Sequence, residues 1–305
     1  MPPQRTWYLE GEPFQLERRT VFAHSWLMLG RTGAMPASGD YASLNLAGWP
    51  VLAIRDEEGV VRAFRNTCRH QSMLVVEKAA GHATDGALRC RFHGWTYDTR
   101  GRFKEAPQQY APPDATAASN ALVEIGIAEW RGLLFIRVAG EGATFSPPQS
   151  PVEWPFAQAN SIRFSNEITT DIGCNWKVLV EHIVATCDAR SGADRAVRWQ
   201  WPSLVVESGP GEMIVHQIVP RSFSRTRVIT HFFFSQTATT SERVAAVVAE
   251  LEADRAQCER VQAELEAGVP LASTAEGSLV ARFRASVVAA HRSQPMLDTL
   301  ATTTS

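Results

Sequence analysis

Two short residue pairs carry the strongest chemical signal in the sequence. Cys68-Arg-His70 is followed, after 19 intervening residues, by Cys90-Arg-Phe-His93. Two thiols and two imidazoles so spaced, each pair at the tip of a strand-loop, form a four-ligand metal site. The residue types admit two chemistries. Zinc takes two Cys and two His tetrahedrally on one ion. A [2Fe–2S] cluster of the mixed-ligand kind takes two Cys on one iron and two His on the other. Zinc fingers usually group a Cys pair and then a His pair on a helix. Here each pair mixes Cys with His, so that each loop sends one ligand to each iron. Surface Cys and His without metal are the plainest third reading.

The elements that must position these residues follow from the pattern of the chain. From Gly39 to Val138 short apolar segments (YASLNLAG, PVLAIRD, VVRAFRN, ALRCRF, GWTYD, GLLFIRV) alternate with Gly, Asp and Pro turn signals. That texture predicts a small all-β domain. Upstream, residues 13–27 read as an amphipathic helix carrying Phe14, Val21 and Phe22. Residues 140–155, rich in Pro and Gly, read as a linker. Beyond it, residues 174–187 suit a helix, and 203–235 alternate like long antiparallel strands. Residues 241–266 predict a long helix with Val244, Val247, Leu251, Cys258, Val261 and Leu265 on one face, stopped by Gly268 and Pro270. The fold class is thus α+β. The expected division is 1–38 helical segment, 39–139 β domain, 140–155 linker and 156–305 second domain.

Composition excludes several classes. The chain has 305 residues, 45% hydrophobic and 20% charged, with a formal net charge of −2, which fits an ordinary globular protein and leaves no electrostatic footprint for nucleic acid. No apolar run approaches a membrane span, and the N-terminus lacks the core of a signal peptide, so no membrane association and a cytoplasmic location are expected. The five cysteines are then free thiols or metal ligands.

The flanks of the two pairs decide between the metals. Asn66-Thr-Cys-Arg-His before and Cys-Arg-Phe-His-Gly-Trp-Thr-Tyr-Asp-Thr-Arg-Gly-Arg after resemble the N-terminal half of Rieske non-haem iron oxygenase α subunits. The resemblance implies a [2Fe–2S] cluster on Cys68, His70, Cys90 and His93. It departs from the usual pattern at Gln71-Ser72 in place of Arg-Gly, at Arg91 in place of Pro, and in a longer gap between the pairs. His82, within that gap, reads as a solvated loop residue. Gly94 lets the backbone pass close to the cluster. Tyr97 is placed to hydrogen-bond a sulfur or a cysteine, with plain packing the equal alternative for it and for Trp95.

The second half is similar to the family's catalytic domain, in which an antiparallel sheet grips a long C-terminal helix. Asn175-Trp-Lys-Val-Leu-Val-Glu181 resembles the start of its catalytic motif, and LEADRAQCERVQAEL its C-terminal helix. In the family this motif continues to a bridging carboxylate and two His ligands, which with an Asp on the last helix hold a mononuclear Fe(II). Laid over this chain, the bridging position is Ala185, the His positions are Asp188 and Ala193, and the Asp is Asp254. Few residues separate Asp188 from Trp201, so the domain reads as truncated. The iron site reads as degenerate, and a mononuclear iron is doubtful. A carboxylate on the buried stripe of a helix needs a partner, and an Arg or a backbone donor is the expected one for Asp254. A substitute set of His182, Asp188 and Asp254 is the alternative. His216 and His231 read as packed or solvent-facing strand residues.

The resemblance implies an oxidoreductase component that passes electrons from an NAD(P)H-dependent flavin reductase or a ferredoxin to a mononuclear iron in a homologous, ligand-complete partner subunit. Trimer-based homo- or hetero-oligomers are the family's assembly. The alternatives are a self-sufficient mono- or dioxygenase using a rearranged iron site on a small molecule, and a non-redox structural subunit.

Overall fold

The computed structural model describes residues 3–139, 144–145, 162–192, 194–235 and 240–293, and of Asp188 the backbone alone. The chain divides into two compact units, Phe22–Pro147, and Met1–Val21 together with Pro148–Ser305. The N-terminal 38 residues therefore do not stand apart as one segment. Most of the expected linker, and all residues after Ser293, lie outside the described residues.

The unit Phe22–Pro147 is all-β. Its strands are β1 (Leu27–Arg31), β2 (Asp40–Leu46), β3 (Trp49–Arg55), β4 (Val61–Arg65), β5 (Ala80–His82), β6 (Ala87–Arg89), β7 (Thr96–Asp98), β8 (Phe103–Glu105), β9 (Gly126–Trp130) and β10 (Leu133–Arg137). They form three antiparallel sheets, β4-β3-β2-β5, β6-β7-β8 and β1-β10-β9. The β2–β3 turn and the β3–β4 register carry Leu52 and Ile54 inward, where they meet Phe64, Leu88, Trp95, Tyr97 and Leu122. Each such side chain contributes roughly 1.5–3 kcal/mol on burial. Cys68 and Cys90 belong to the same core. Asn66 fixes the start of the loop after β4. Its amide donates to Val76 O at 2.7 Å, and its Oδ1 accepts from the backbone of Val75 and Val76 at 3.1 and 3.0 Å.

The second unit begins with α1 (Gly11–Glu17), continued by a wider-pitched turn over Arg18–Phe22, so the expected helix over 13–27 is shorter and ends before β1. After it come β11 (Ile162–Ile172), α2 (Trp176–Arg190), β12 (Ala196–Gln200), β13 (Leu204–Gly209), β14 (Glu212–Ser222), β15 (Arg225–Ser235), α3 (Thr240–Glu266) and α4 (Leu279–Arg292). The five strands make one antiparallel sheet in the order β11-β15-β14-β13-β12. Strand β14 lies at its centre and is buried from Met213 to Pro220. Arg243 of α3 reaches Glu207 on β13 and Glu212 on β14, so the long helix lies along one sheet face.

Helix α2 starts where Asn175 Oδ1 accepts from Lys177 N at 3.0 Å, an N-cap bond. The Asn175 backbone N–H is satisfied by Gln262 Oε1 on α3 at 3.0 Å. Glu17 of α1 is fully buried and accepts from Trp176 Nε1 and Lys177 Nζ, both at 2.7 Å, and from His291 of α4 at 3.0 Å. One carboxylate thus ties three helices together. Burial alone would raise its pKa, but Lys177 and the other donors hold it below the ordinary value. Among the described residues no helix is long and apolar enough to cross a membrane.

Candidate metal centre

Two loops of the β unit close in the same way. In the first, Cys68 N donates to Met73 O at 2.7 Å and Ser72 N to Cys68 O at 2.9 Å. In the second, Cys90 N donates to Trp95 O at 2.8 Å and Gly94 N to Cys90 O at 3.0 Å. The fourth residue after each cysteine must turn left-handed, with φ of 56° at Ser72 and 69° at Gly94. A Cβ on Gly94 would also stand 3.1 Å from the Pro107 ring, so backbone and space both favour glycine there.

These turns point the cysteines inward and the histidines toward the loop tips. Cys68 and Cys90 are buried in the same core, close enough for Cys68 to raise the Cys90 thiol pKa. The rings of His70 and His93 sit with centroids 4.7 Å apart and nearly perpendicular. His70 stacks on Trp95 at 5.4 Å, and Tyr110 packs against His93 at 4.4 Å. Trp95 is itself anchored by a 2.7 Å bond from Nε1 to Tyr110 O. The Nδ1 of His70 is buried without a hydrogen-bond partner, an atom that a metal would satisfy.

The electrostatics favour the same occupant. Burial raises the Cys90 thiol pKa, and neighbouring Cys68 raises it further; two thiols sharing a dry pocket ionise only if a cation joins them. Burial, with His93 alongside, lowers the His70 pKa, leaving a neutral imidazole able to ligate. Tyr97 Oη accepts from Arg69 N at 3.0 Å and lies 3.1 Å from Cys68 Sγ. Burial, and then the Cys68 contact, push the phenol well above its usual pKa, so Tyr97 keeps its proton within hydrogen-bond reach of the sulfur.

Among the described residues, no three His, Cys, Asp or Glu side chains gather to hold a single metal ion. Cys68 and Cys90 stand as a buried sulfur pair, and His70 and His93 as an imidazole pair. That arrangement suits two irons with two protein ligands each better than one tetrahedral zinc. The residues present fit a [2Fe–2S] cluster. His82 stands away from the pair, exposed, with Nδ1 2.9 Å from Asp40 Oδ1.

In the second unit, Asp254 and His182 do meet. His182 Nε2 donates to Asp254 Oδ1 at 2.8 Å. A third group, Arg190, joins them: its Nη2 lies 2.6 Å from both Oδ1 and Oδ2 of Asp254. Burial would raise the Asp254 pKa, but His182 and Arg190 bring it below the ordinary value. The side chain of Asp188, and Ala193 as a whole, lie outside the described residues. Ala185 is exposed and, with His182, lines a cavity of about 590 Å³. The carboxylate that a mononuclear iron would need is spanned by a guanidinium, and the residues described here do not fit that metal.

Arg190 was not singled out by the sequence, although it lies two turns after His182 on α2. A second charged cluster was equally silent. Glu207 is buried and meets His216 at 3.2 Å, Arg243 at 3.0 Å and Arg195 at 3.5 Å. Burial would raise its pKa, yet His216 and the two arginines bring it down to about 2. His216 also lies 3.0 Å from Thr230 Oγ1, and His231 pairs with Glu167 and Gln217. Both histidines are packed among polar partners.

Comparison with known proteins gives these observations a setting. Residues 25–122 match the Rieske [2Fe–2S] domain family. The chain is 28% identical over 182 residues to the glycine betaine monooxygenase oxygenase subunit of Chromohalobacter salexigens, covering 57% of this chain and 39% of that protein. It is 33% identical over 129 residues to the chlorobenzene dioxygenase subunit alpha of Cupriavidus sp. strain PS12, covering 42% and 28%. The chain thus spans less than half the length of these curated relatives. Among solved structures, the quaternary ammonium Rieske monooxygenase CntA bound to gamma-butyrobetaine superposes with a TM-score of 0.76 at 20% identity, covering 95% of each chain. Naphthalene 1,2-dioxygenase does so at 0.66 and 17% identity, covering 89% of this chain and 81% of the other. These likenesses establish the fold.

Proposed function

For a chain that carries a Rieske [2Fe–2S] domain and is homologous to the α subunits of Rieske oxygenases, we propose the role of an electron-carrying subunit without an iron-binding site of its own in the second unit. Cys68, Cys90, His70 and His93 are its cluster ligands. The observation that carries this reading is the contrast between the two units: a sulfur pair and an imidazole pair with an orphaned nitrogen in one, and a carboxylate already neutralised by arginine in the other. When bound, the cluster supplies one-electron transfer.

The chain's own groups shape that transfer. Tyr97 places a proton on the cysteine side, favouring the state with more negative charge on sulfur. The histidines lie toward the loop tips beside exposed Phe92, Leu74 and Met73, where a partner protein has access. Electrons come from an NAD(P)H-dependent flavin reductase or a ferredoxin. They leave to the mononuclear iron of a homologous, ligand-complete subunit in a trimer-based assembly. Ala185 stands where the family carries its bridging carboxylate, and a methyl group cannot accept an imidazole proton. The partner must bring that carboxylate itself.

Single turnover tests the proposal. The chemically reduced chain, mixed with O₂ and candidate substrates, gives no product; adding a ligand-complete homologue gives product in proportion to the reduced chain supplied. Product from the isolated chain would overturn the proposal in favour of a self-sufficient oxygenase with a rearranged iron site.

A further inference from the structure

The contact between Arg190 and Asp254 has an unusual form. A guanidinium usually pairs with a carboxylate fork to fork, two nitrogens facing two oxygens. Here one nitrogen, Nη2, stands 2.6 Å from each oxygen of Asp254. That is the place a cation takes when a carboxylate chelates it through both oxygens. His182 Nε2 stands 2.8 Å from Oδ1 of the same carboxylate, so an imidazole shares that oxygen with the guanidinium. His182 also lines the cavity of about 590 Å³ beside α2 and α3.

We propose that the Arg190 guanidinium is a built-in cation that occupies a latent divalent-metal position formed by Asp254 and His182, and that it keeps this position closed to metal. The inference deepens the reading of the second unit as free of its own iron, and rests on that reading only there; it holds whether or not a partner subunit exists. Arg190 is more than a chance neighbour. It comes from the same helix as His182, and its charge also faces Glu207 and Glu250 as well as Asp254. The side chain of Asp254 is 8% exposed, so its charge depends on a bound cation of one kind or another. Removing the arginine leaves that requirement unmet and the position empty. Mn²⁺, a divalent ion suited to carboxylate and water ligands, is the probe.

The test uses the oxidised, cluster-loaded chain, in which the cluster is diamagnetic and the spectrum of free Mn²⁺ reports its binding. The wild type is expected to leave added Mn²⁺ free. Arg190→Ala is expected to melt roughly 5 °C lower, to bind Mn²⁺ at least about tenfold more tightly than the wild type, and to regain thermal stability with it. Both gains disappear in Arg190→Ala combined with Asp254→Asn. Arg190→Gln, which keeps a shorter, uncharged polar side chain, takes the place of the alanine variant if that chain does not fold. The inference is overturned if the wild type takes up Mn²⁺ in an Asp254-dependent way. It is equally overturned if the arginine variants bind no more tightly than the wild type, or lose no stability. The reading of the chain as an electron carrier fails separately, by the single-turnover result.

Discussion

Replacing Tyr97 by Phe removes one oxygen from beneath the candidate cluster and leaves the buried ring in place. That oxygen lies 3.1 Å from Cys68 Sγ and 3.0 Å from Arg69 N. Two effects follow. A hydrogen bond to a charged acceptor is worth about 1.5–3 kcal/mol, and a sulfur ligand is more negative in the reduced state than in the oxidised one. If the reduced state gains roughly 1 kcal/mol more from the bond, its loss lowers the midpoint potential by about 40 mV, since a one-electron couple shifts about 59 mV per tenfold. The Arg69 N–H also loses its acceptor, costing about 1 kcal/mol of stability. Spectroelectrochemical titration of wild type and Tyr97→Phe at equal cluster content measures the first effect, and thermal melting the second. A fully loaded variant with an unchanged or higher potential would refute the placement of the Tyr97 proton on sulfur.

The two matching loops make a paired expectation. Ser72→Gly relieves a left-handed serine and is expected to raise stability by about 0.5–1 kcal/mol with cluster retained, whereas Gly94→Ala is expected to lose cluster on purification because its Cβ meets Pro107; iron content and melting temperature read both. Glu207 supplies a pH dependence. Its folded pKa of about 2 lies below the ordinary 4.5, so its contribution, roughly 3 kcal/mol, is fully present above pH 4.5 and is lost as pH falls toward 2. Glu207→Gln should therefore be less stable at neutral pH and should flatten the acid limb of the stability curve; an unchanged limb would contradict the ion-pair geometry.

The sequence was most legible where chemistry constrains residue type. Cys68, His70, Cys90 and His93 stand out because few residue types can ligate iron, and their loops are bounded by short strands with clear turn signals. The long helix was equally plain, and α3 covers Thr240–Glu266. Its buried face, though, includes Gln262, which no apolar pattern reveals, since it is held there by the Asn175 backbone. Helix α4 was missed although Ser278 caps it, its Oγ accepting from Ala281 N at 3.2 Å. Strand β11 also escaped notice, because alternating half-buried and exposed residues leave it only a weak apolar signal. Asp254 signalled that it needed a partner, as a carboxylate on a buried stripe must. Which arginine would supply it was not readable, because Arg190 lies 64 positions away and only the packing of α2 on α3 brings them together.

Iron and acid-labile sulfide per chain, measured on the purified protein alongside its paramagnetic resonance spectrum, show what the four loop residues hold. Two irons and two sulfides per chain are expected, and on reduction the low-g signal of a histidine-ligated [2Fe–2S] centre. Stoichiometric zinc without sulfide would contradict the assignment of Cys68, His70, Cys90 and His93 as cluster ligands. A third iron, lost on replacing Asp254, would contradict the closure of the second unit by Arg190.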